Sequence, residues 1–314
     1  MADRAAGAVA RATPEARREP GARTPRGFTR TDLLLLAMTL IWGVNFSVVK
    51  YGADVVPPLA FNGARMALAS VALAAVALAR TVRLSRRDLG ALLLLGVLGN
   101  GVYQLLFVLG VSLTRAGNAA LVLAATPAVV ALLGRLRGVE RIGPRAVLGI
   151  ALSIAGIGII VLSTAQGQAG DSSVRGDALM LAACVAWAVY TVLLKPYAER
   201  IDGITLSAVT MVGGTLPLLV VAAPSLAVAP WTQLTWAGWG AILYSGLGAL
   251  VVAYLFYYRG VRTLGPTRTA MYANLQPVIA LTVAWLTLGE TPTIFQVVGA
   301  ALILGGLVLA RRSG

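Results

Sequence analysis

The sequence contains no histidine and only one cysteine, Cys184, among its 314 residues. The usual His/Cys metal sites, a histidine general base and an internal disulfide are therefore excluded. Charged residues are also scarce, at 12%, against about 25% in soluble domains. Apolar residues instead reach 58% and the mean hydropathy is +0.82. This composition predicts an integral membrane protein rather than two soluble domains.

Apolar runs recur from Leu33 onward, each near the ~20 residues that a helix needs to cross a bilayer. Proline and glycine mark the breaks between them, as at Pro57-Pro58 and Gly143-Pro144. Residues 1–31, rich in Ala, Arg and Pro, are predicted to be a disordered basic cytoplasmic tail. The predicted spans are 33–53, 58–79, 89–111, 115–134, 145–164, 177–195, 204–223, 235–257, 267–288 and 293–310.

The basic residues predict the orientation of these spans. Lys and Arg total 26 against 12 acidic residues, a net charge of +14. Nucleic-acid binding would need these bases on a polar surface, which the chain lacks, so no nucleic-acid partner is expected. If both termini are cytoplasmic, nearly all bases lie on the inner side; the exceptions are Lys50, Arg65, Arg115 and Arg175. This asymmetry is typical of a multi-pass protein of the cell membrane.

The chain also repeats itself. A shift of 145 residues places Trp42 on Trp187, and Lys50 on Lys195, which are the only two lysines. Further along, a shift of 150 places Pro127 on Pro277 and Glu140 on Glu290. Since each copy holds five spans, an odd number, the second copy is predicted to cross the membrane in the opposite orientation. Inverted repeats of this kind, here 32–165 and 176–311, are typical of secondary transporters that work by alternating access.

Four segments carry a family resemblance. LAMTLIWGVNFSVVK and GDALMLAACVAWAVYTVLLK open the two copies, and ATPAVVALL…GVE and LQPVIALTVAWLTLGE recur later in them. Together they resemble the EamA repeats of the drug/metabolite transporter superfamily over about residues 32–311. The resemblance implies an all-α membrane protein with ten transmembrane helices in two inverted five-helix repeats. It also implies export of amino acids, other metabolites or toxic compounds, without naming a substrate.

Arg65 is the main candidate for substrate recognition, because a charge within a span is expensive and is functional by default. It would attract a carboxylate or another anionic group. The alternative is a structural role, in which the side chain snorkels or binds neighbouring backbone carbonyls.

Other polar and aromatic side chains within spans are expected to outline a neutral substrate pathway with Arg65. The alternative for each is helix–helix packing. They are Trp42, Asn45, Asn100, Tyr103, Gln104, Trp187, Tyr190, Tyr244, Tyr254, Asn274 and Gln276.

Pro127 and Pro277 are predicted to kink their helices and to free backbone carbonyls that either face a cavity or are satisfied by nearby side chains. Lys50 and Lys195 are hypothesised to act in gating or coupling, with snorkelling as the alternative. Asp32 and Asp177 are predicted to be N-caps of equivalent helices. With no carboxylate expected mid-span, the usual proton carrier has no evident candidate.

An exporter of amino acids or other small metabolites is therefore the first hypothesis. A carrier of sugar phosphates or nucleotide sugars would need clustered cavity bases, and a multidrug exporter is a further alternative. A membrane-embedded enzyme would need a nucleophile or an acid–base pair, which the sequence does not offer. No catalytic residue, metal or cofactor is expected. The expected partners are a small-molecule substrate and the lipid bilayer, for a monomer or a homodimer.

Overall fold

The computed structural model describes residues 29–80, 84–136, 144–167, 172–264, 272 and 275–311. Within these ranges the chain is helical and contains no β-strand. Nearly all of the predicted basic tail lies outside the described residues. Its last residues already belong to the first helix, because Thr29 is the N-cap and the helix begins at Arg30.

The first repeat places its helices on the predicted spans. Pro57 and Pro58 separate the first two helices, and Pro58 is the first residue of the second, where a missing N–H costs nothing. The helices are α1 (Arg30–Val55), α2 (Pro58–Leu78), α3 (Arg86–Leu113), α4 in two segments (Ala116–Leu123 and Thr126–Leu136) and α5 (Pro144–Ala165).

The second repeat follows the same order. Asp202 caps one helix by accepting from the N–H groups of Ile204 and Thr205, and Gly289 ends another in the left-handed conformation, φ 69°. The helices are α6 (Val174–Ala198), α7 (Gly203–Val228), α8 (236–264), α9 (Gln276–Leu288) and α10 (Ile294–Arg311).

Helix length and composition support a membrane setting. Seven helices in the described ranges are long and apolar enough to cross a bilayer, and three shorter apolar helices cover Ala116–Val130, Gln276–Leu288 and Ile294–Gly306. Part of the predicted span 267–288 lies outside the described residues. The chain is thus a multi-pass membrane protein, and its number of crossings stays a prediction.

The predicted N-caps are wrong. Thr29 caps α1 and Ser173 caps α6, each through a side-chain hydroxyl that accepts a backbone N–H. Asp32 lies three residues inside α1, in a capping box with Thr29. Asp177 lies one turn inside α6, and both carboxylates are fully buried. Thr29 and Ser173 immediately precede the first residue of each helix, so their hydroxyls lie next to the free N–H groups of the first turn.

Equivalent helices of the two repeats run antiparallel. Gly63 of α2 faces Ala222 and Leu226 of α7, whereas Ser70, further along α2, bonds to Thr215, earlier in α7 (Oγ···Oγ1 2.6 Å). The residue numbers rise along one helix as they fall along the other. This arrangement is the one that an inverted repeat requires.

The pair α5 and α10 shows the same antiparallel packing through glycine. Gly156 lies against Gly299 and Ile303, while Gly306 lies against the carbonyl of Gly149. A Cβ on Gly156 would come within 2.8 Å of the Gly299 oxygen, so the two backbones touch. Small residues commonly permit such close approach in membranes.

The remaining contacts between repeats obey the same symmetry. Helix α1 packs on α8 and α9, and its equivalent α6 packs on α3 and α4. Helix α2 contacts α8, and its equivalent α7 contacts α3. Exchanging the repeats therefore converts each of these contacts into another observed one, and buried residues of both repeats contribute to the core.

Candidate functional site

Arg65 is fully buried near the middle of α2. Its Nε donates to Oδ1 of Asn62 at 3.0 Å, one turn earlier on the same helix. Its terminal nitrogens donate to Ser245 Oγ at 2.8 Å and to Gln104 Oε1 at 2.6 Å. All three acceptors are neutral, and no described carboxylate forms an ion pair with this guanidinium. A buried positive charge is thus held by dipoles alone.

These four side chains, the Arg65 cluster, join the two repeats. Asn62 and Arg65 lie on α2, Gln104 on α3, and Ser245 on α8. Asn62 also donates to the Gln104 carbonyl at 3.1 Å, which ties α2 to α3. Asn62, Arg65 and Ser245 are wholly inaccessible, and Gln104 is 3% exposed. The cluster is therefore closed to solvent in this conformation.

Two π-helical stretches position part of this cluster. They cover Val97–Val102 in α3 and Tyr244–Val252 in α8. Ser245 lies within the second, and Gln104 follows shortly after the first. A shift of 150 residues places the first stretch on the last six residues of the second. It also places Gly96, just before the first stretch, on Gly246, within the second. Such stretches are frequent at functional sites. Sequence analysis did not predict them, although the paired glycines were an available signal.

Aromatic rings form a continuous wall, the aromatic wall, drawn from both repeats. The equivalent residues Trp42 and Trp187 both contact Tyr254, with ring centroids 5.7 and 6.1 Å apart. Trp187 also contacts Tyr103 at 4.8 Å and Tyr190 at 5.2 Å. The Trp42 indole N–H donates to the Ala249 carbonyl at 2.9 Å, which orients the ring against α8. The structure thus brings these five predicted residues together.

Phe61 and Phe107 complete the surroundings of the guanidinium. The Cζ of Arg65 lies 5.9 Å from the Phe61 ring centroid and 5.7 Å from that of Phe107, within cation–π range. Sequence analysis did not select either residue. Phe61 lies one helical turn before Arg65, and this spacing was the signal that could have found it.

Two predicted asparagines are buried with polar atoms left over. Asn45 Oδ1 has no hydrogen-bond partner among the described residues, and neither amide atom of Asn100 makes a hydrogen bond of standard geometry there. Asn45 lies three residues after Trp42, and Asn100 lies in the π-helical stretch of α3. Buried polar atoms are usually hydrogen-bonded in native proteins, which makes Asn45 the more unusual of the two, since Asn100 lies beside the Tyr190 hydroxyl.

The other predicted pathway residues lie apart from the cluster. The Tyr244 hydroxyl donates to the Ile41 carbonyl at 3.0 Å, so it faces α1 rather than Arg65. Gln276 is half-buried at the start of α9, where its carbonyl lies close to Gly43. Asn274 lies outside the described residues.

The prolines differ in position. Helix α4 breaks between Leu123 and Thr126, and Pro127 deprives the Leu123 carbonyl of its usual N–H donor. The Thr126 hydroxyl donates to that carbonyl at 2.7 Å, as expected for a structural kink with a satisfied carbonyl. Pro277 is the second residue of α9.

The two lysines have unlike surroundings. Lys50 is half-buried and its Nζ donates to the Ser112 carbonyl near the end of α3, at 3.0 Å. Lys195 is exposed near the end of α6. Neither hydrogen bonds to the Arg65 cluster, so Arg65 is its only base.

A cavity of about 270 Å³ lies at one end of the bundle, away from Arg65, between the end of α1 and the start of α8. Tyr51, Gln233 and Thr235 contribute to its lining. Among the described residues no group of His, Cys, Asp or Glu could hold a metal ion.

Comparison with known proteins bears on the whole chain. The model of the EamA-like transporter family matches twice, at residues 29–162 and 174–312. A "probable terminal-alkyne amino-acid exporter" of Streptantibioticus cattleyicolor is 30% identical, over 88% of this chain and 92% of its own. A "probable amino-acid metabolite efflux pump" of Salmonella typhimurium is 29% identical, over 89% and 94%.

A solved crystal structure matches with a TM-score of 0.62 at 20% identity, covering 90% of this chain and 98% of the other, which shows the fold alone. The "uncharacterized transporter YyaM" of Bacillus subtilis is 26% identical, over 88% of this chain and 92% of its own. The twofold family match agrees with the internal repeat and with the symmetric helix contacts. The chain belongs to the EamA-like transporter family.

Proposed function

We propose that this protein is a secondary transporter that exports amino acids or closely related small metabolites across the cell membrane. Its two repeats would cross the membrane ten times in all, with both termini cytoplasmic. Transport would proceed by alternating access, as one repeat rocks against the other around a site near the midplane. The chain would act as a monomer or a homodimer, with no role for nucleic acid or catalysis.

The Arg65 guanidinium is the observation that carries this proposal. It has five N–H donors, and three are used by Asn62, Gln104 and Ser245. One N–H remains on each terminal nitrogen, and these two donors suit a carboxylate that accepts both at once. Because no carboxylate of the described residues pairs with Arg65, a substrate carboxylate would supply the counter-charge.

The surroundings of Arg65 favour amino acids among carboxylate compounds. The aromatic wall offers apolar surface for a side chain and ring faces for an ammonium group. The names of two relatives, an amino-acid exporter and an amino-acid metabolite efflux pump, support the same class. Sugar phosphates and nucleotide sugars fit less well, because they carry more negative charge than a single buried base offsets.

A multidrug exporter is a second candidate, favoured by the aromatic wall. Rings from α1, α3, α6 and α8 would bind flat amphipathic compounds through stacking. For such compounds Arg65 would serve only to hold α2, α3 and α8 together.

Transport in proteoliposomes tests both candidates. The purified protein is reconstituted and offered labelled amino acids, nucleosides and cationic drugs, with and without a pH gradient. We expect uptake of at least one amino acid, and loss of most of that uptake in Arg65→Gln. Arg65→Lys, which keeps the charge but loses the planar fork, should weaken binding by about tenfold or more.

Arg259→Gln is the matched control, because Arg259 is exposed on α8, and it should transport normally. Thermal unfolding of each variant separates a lost site from a lost fold. Full amino-acid transport by a folded Arg65→Gln would remove Arg65 from the site, and transport of cationic drugs alone would favour the second candidate.

A further inference from the structure

The carboxylate of Asp177 is fully buried in the first turns of α6, at the end of the bundle where α3 joins α4. It accepts from Thr114 Oγ1 at 2.6 Å through Oδ1 and from Thr164 Oγ1 at 2.8 Å through Oδ2. Both donors belong to the first repeat, whereas Asp177 belongs to the second. This carboxylate therefore bridges the repeats.

No base neutralises this carboxylate within the described part of the chain. The charged groups described at this end are Lys50, Asp54, Arg115, Arg175 and Glu290, of which Asp54 is exposed. Lys50 donates to the Ser112 carbonyl. Arg115 Nη2 donates to the Thr291 carbonyl at 2.8 Å, and Arg115 Nε lies 3.8 Å from Glu290 Oε2. Arg175 is exposed. Glu290 accepts from the N–H groups of Ala116 and Gly117 at the start of α4.

A buried carboxylate without a counter-ion is costly, and a bound proton removes that cost. The geometry around Asp177 accommodates the proton without moving any heavy atom. Thr164 Oγ1 lies 2.8 Å from Asp177 Oδ2 and also 3.1 Å from the Ile160 carbonyl. Since a hydroxyl has one hydrogen, it can donate to only one of these acceptors at a time.

Both protonation states are consequently satisfied. When Asp177 is ionised, the Thr164 hydroxyl donates to Oδ2. When a proton from water bonds to Oδ2, the new O–H donates to Thr164 Oγ1, and the Thr164 hydrogen turns to the Ile160 carbonyl. Nothing is oxidised or reduced, and the only bond formed is the Oδ2–H bond.

Polar side chains surround this site on the side that faces the segment before α6. Asn118 Nδ2 donates to Thr164 Oγ1 at 3.3 Å and to Ser172 Oγ at 3.1 Å, and Gln296 orients the Asn118 amide through a 2.7 Å bond to Oδ1. Ser172 is half-buried on the segment that precedes α6. Because both hydroxyls accept from the same amide nitrogen, Asn118 holds Thr164 and Ser172 in position rather than passing a proton between them.

We propose that Asp177 is a proton-binding residue at the outer end of the interface between the repeats. Protonation reverses the hydrogen bond between Asp177 Oδ2 and Thr164, which Asp177 accepts when ionised and donates when protonated, while Oδ1 still accepts from Thr114. It therefore changes how the repeats are held together there. The use of this proton to drive export rests on the proposed function, whereas the binding of the proton does not. Sequence analysis found no proton carrier because it sought a carboxylate at mid-span.

Infrared difference spectroscopy of the full chain in proteoliposomes tests the site without any substrate. As the pH is lowered, we expect a protonated-carboxyl band in the wild type that Asp177→Asn lacks. Glu199→Gln is the matched control, because Glu199 is an exposed carboxylate at the other end of the same helix, and it should keep the band. Thr164→Val should shift the band to higher frequency, because the carboxyl loses its hydrogen-bond acceptor.

Retention of the whole band by Asp177→Asn would overturn the proposal, as would a Thr164→Val spectrum identical to that of the wild type. Replacement of choline by Na⁺ at fixed pH should leave the band unchanged. If Na⁺ removed the band, Asp177 would instead belong to a cation-binding site. If Asp177→Asn does not fold, Thr164→Val and the Na⁺ test still decide. Failure to transport any substrate would count against the proposed function and leave these spectra unaffected.

Discussion

At the scale of single residues, buried polar groups of this protein fall into two kinds. Asn62 and Gln104 are engaged with Arg65, so their replacement would leave a buried charge without partners. Asn45 Oδ1 has no hydrogen-bond partner among the described residues. The first kind costs stability when removed, whereas the second costs stability when present. Variants can therefore separate binding from folding.

Asn45→Leu tests the second kind. The substitution removes a buried oxygen without a hydrogen-bond partner and keeps the branching and number of heavy atoms, so we expect the melting temperature in detergent to stay the same or to rise. Transport should fall if the amide faces the substrate. Gln104→Leu is the contrasting variant, expected to lose about 1–3 kcal/mol because Arg65 loses an acceptor. Destabilisation by Asn45→Leu would indicate that the amide bonds to a neighbouring helix.

Asp202 gives a pH-dependent prediction at the cap of α7. Burial favours a higher pKa for this carboxyl, but its hydrogen bonds with Thr205 and Ile204 and the nearby Arg80 hold the pKa below its usual value. A lowered pKa means stability that is present above the unfolded-state pKa and is lost as the pH falls through the folded-state pKa. Asp202→Asn should thus be less stable than the wild type at neutral pH and equally stable in acid. A constant difference in melting temperature across that range would contradict this sign.

At the scale of helices, glycine determines which pairs approach closely. Gly156 faces the Gly299 backbone, whereas Gly158, two residues on, faces open space. The same substitution should therefore have opposite effects at the two positions.

Gly156→Ala should destabilise the protein by about 1–3 kcal/mol, because its Cβ would be forced against α10. Gly158→Ala should be neutral or should stabilise by about 0.5–1 kcal/mol, as alanine favours a helix. Thermal unfolding in detergent measures both. Equal effects of the two substitutions would show that α5 and α10 pack less closely than they do in the structure.

Most helices could be predicted from sequence, and the reasons are physical. Apolar length marks a span, and Pro58 marks the start of α2, because both act locally. The π-helical stretches and the hydroxyl caps Thr29 and Ser173 were missed. A π turn depends on packing between helices, as where Gly96 meets the Thr210 carbonyl. For Arg65, sequence predicted the burial of a charge, but two of its three neutral acceptors, Gln104 and Ser245, come from distant segments.

At the scale of the whole molecule, the antiparallel packing of equivalent helices supports the predicted topology. Orientation relative to the membrane is a separate matter and depends on the distribution of Lys and Arg. Single cysteines introduced into a chain with Cys184→Ala provide the test, because Cys184 is the only native thiol and is buried.

Cysteines at Leu84 and Glu199 should react with an impermeant maleimide only from the cytoplasmic side. Cysteines at Asp54 and Gln233 should react only from outside. Leu84, Glu199 and Gln233 lie between helices and Asp54 lies in the last turn of α1, and all four avoid the Arg65 cluster. Labelling of Leu84 and Gln233 from the same side would mean that the number of crossings between them is wrong.

Arg65 is hydrogen-bonded to residues of both repeats, and if its charge stays in place during the proposed transport, only the charge of the substrate and of any exchanged ion determines how membrane voltage acts. A zwitterionic amino acid would cross with no net charge, so voltage alone would not drive it. One proton moving inward in exchange would carry one charge, worth about 2.3 kcal/mol per 100 mV. Export by such an exchange would draw on the inside-negative potential as well as on the pH gradient.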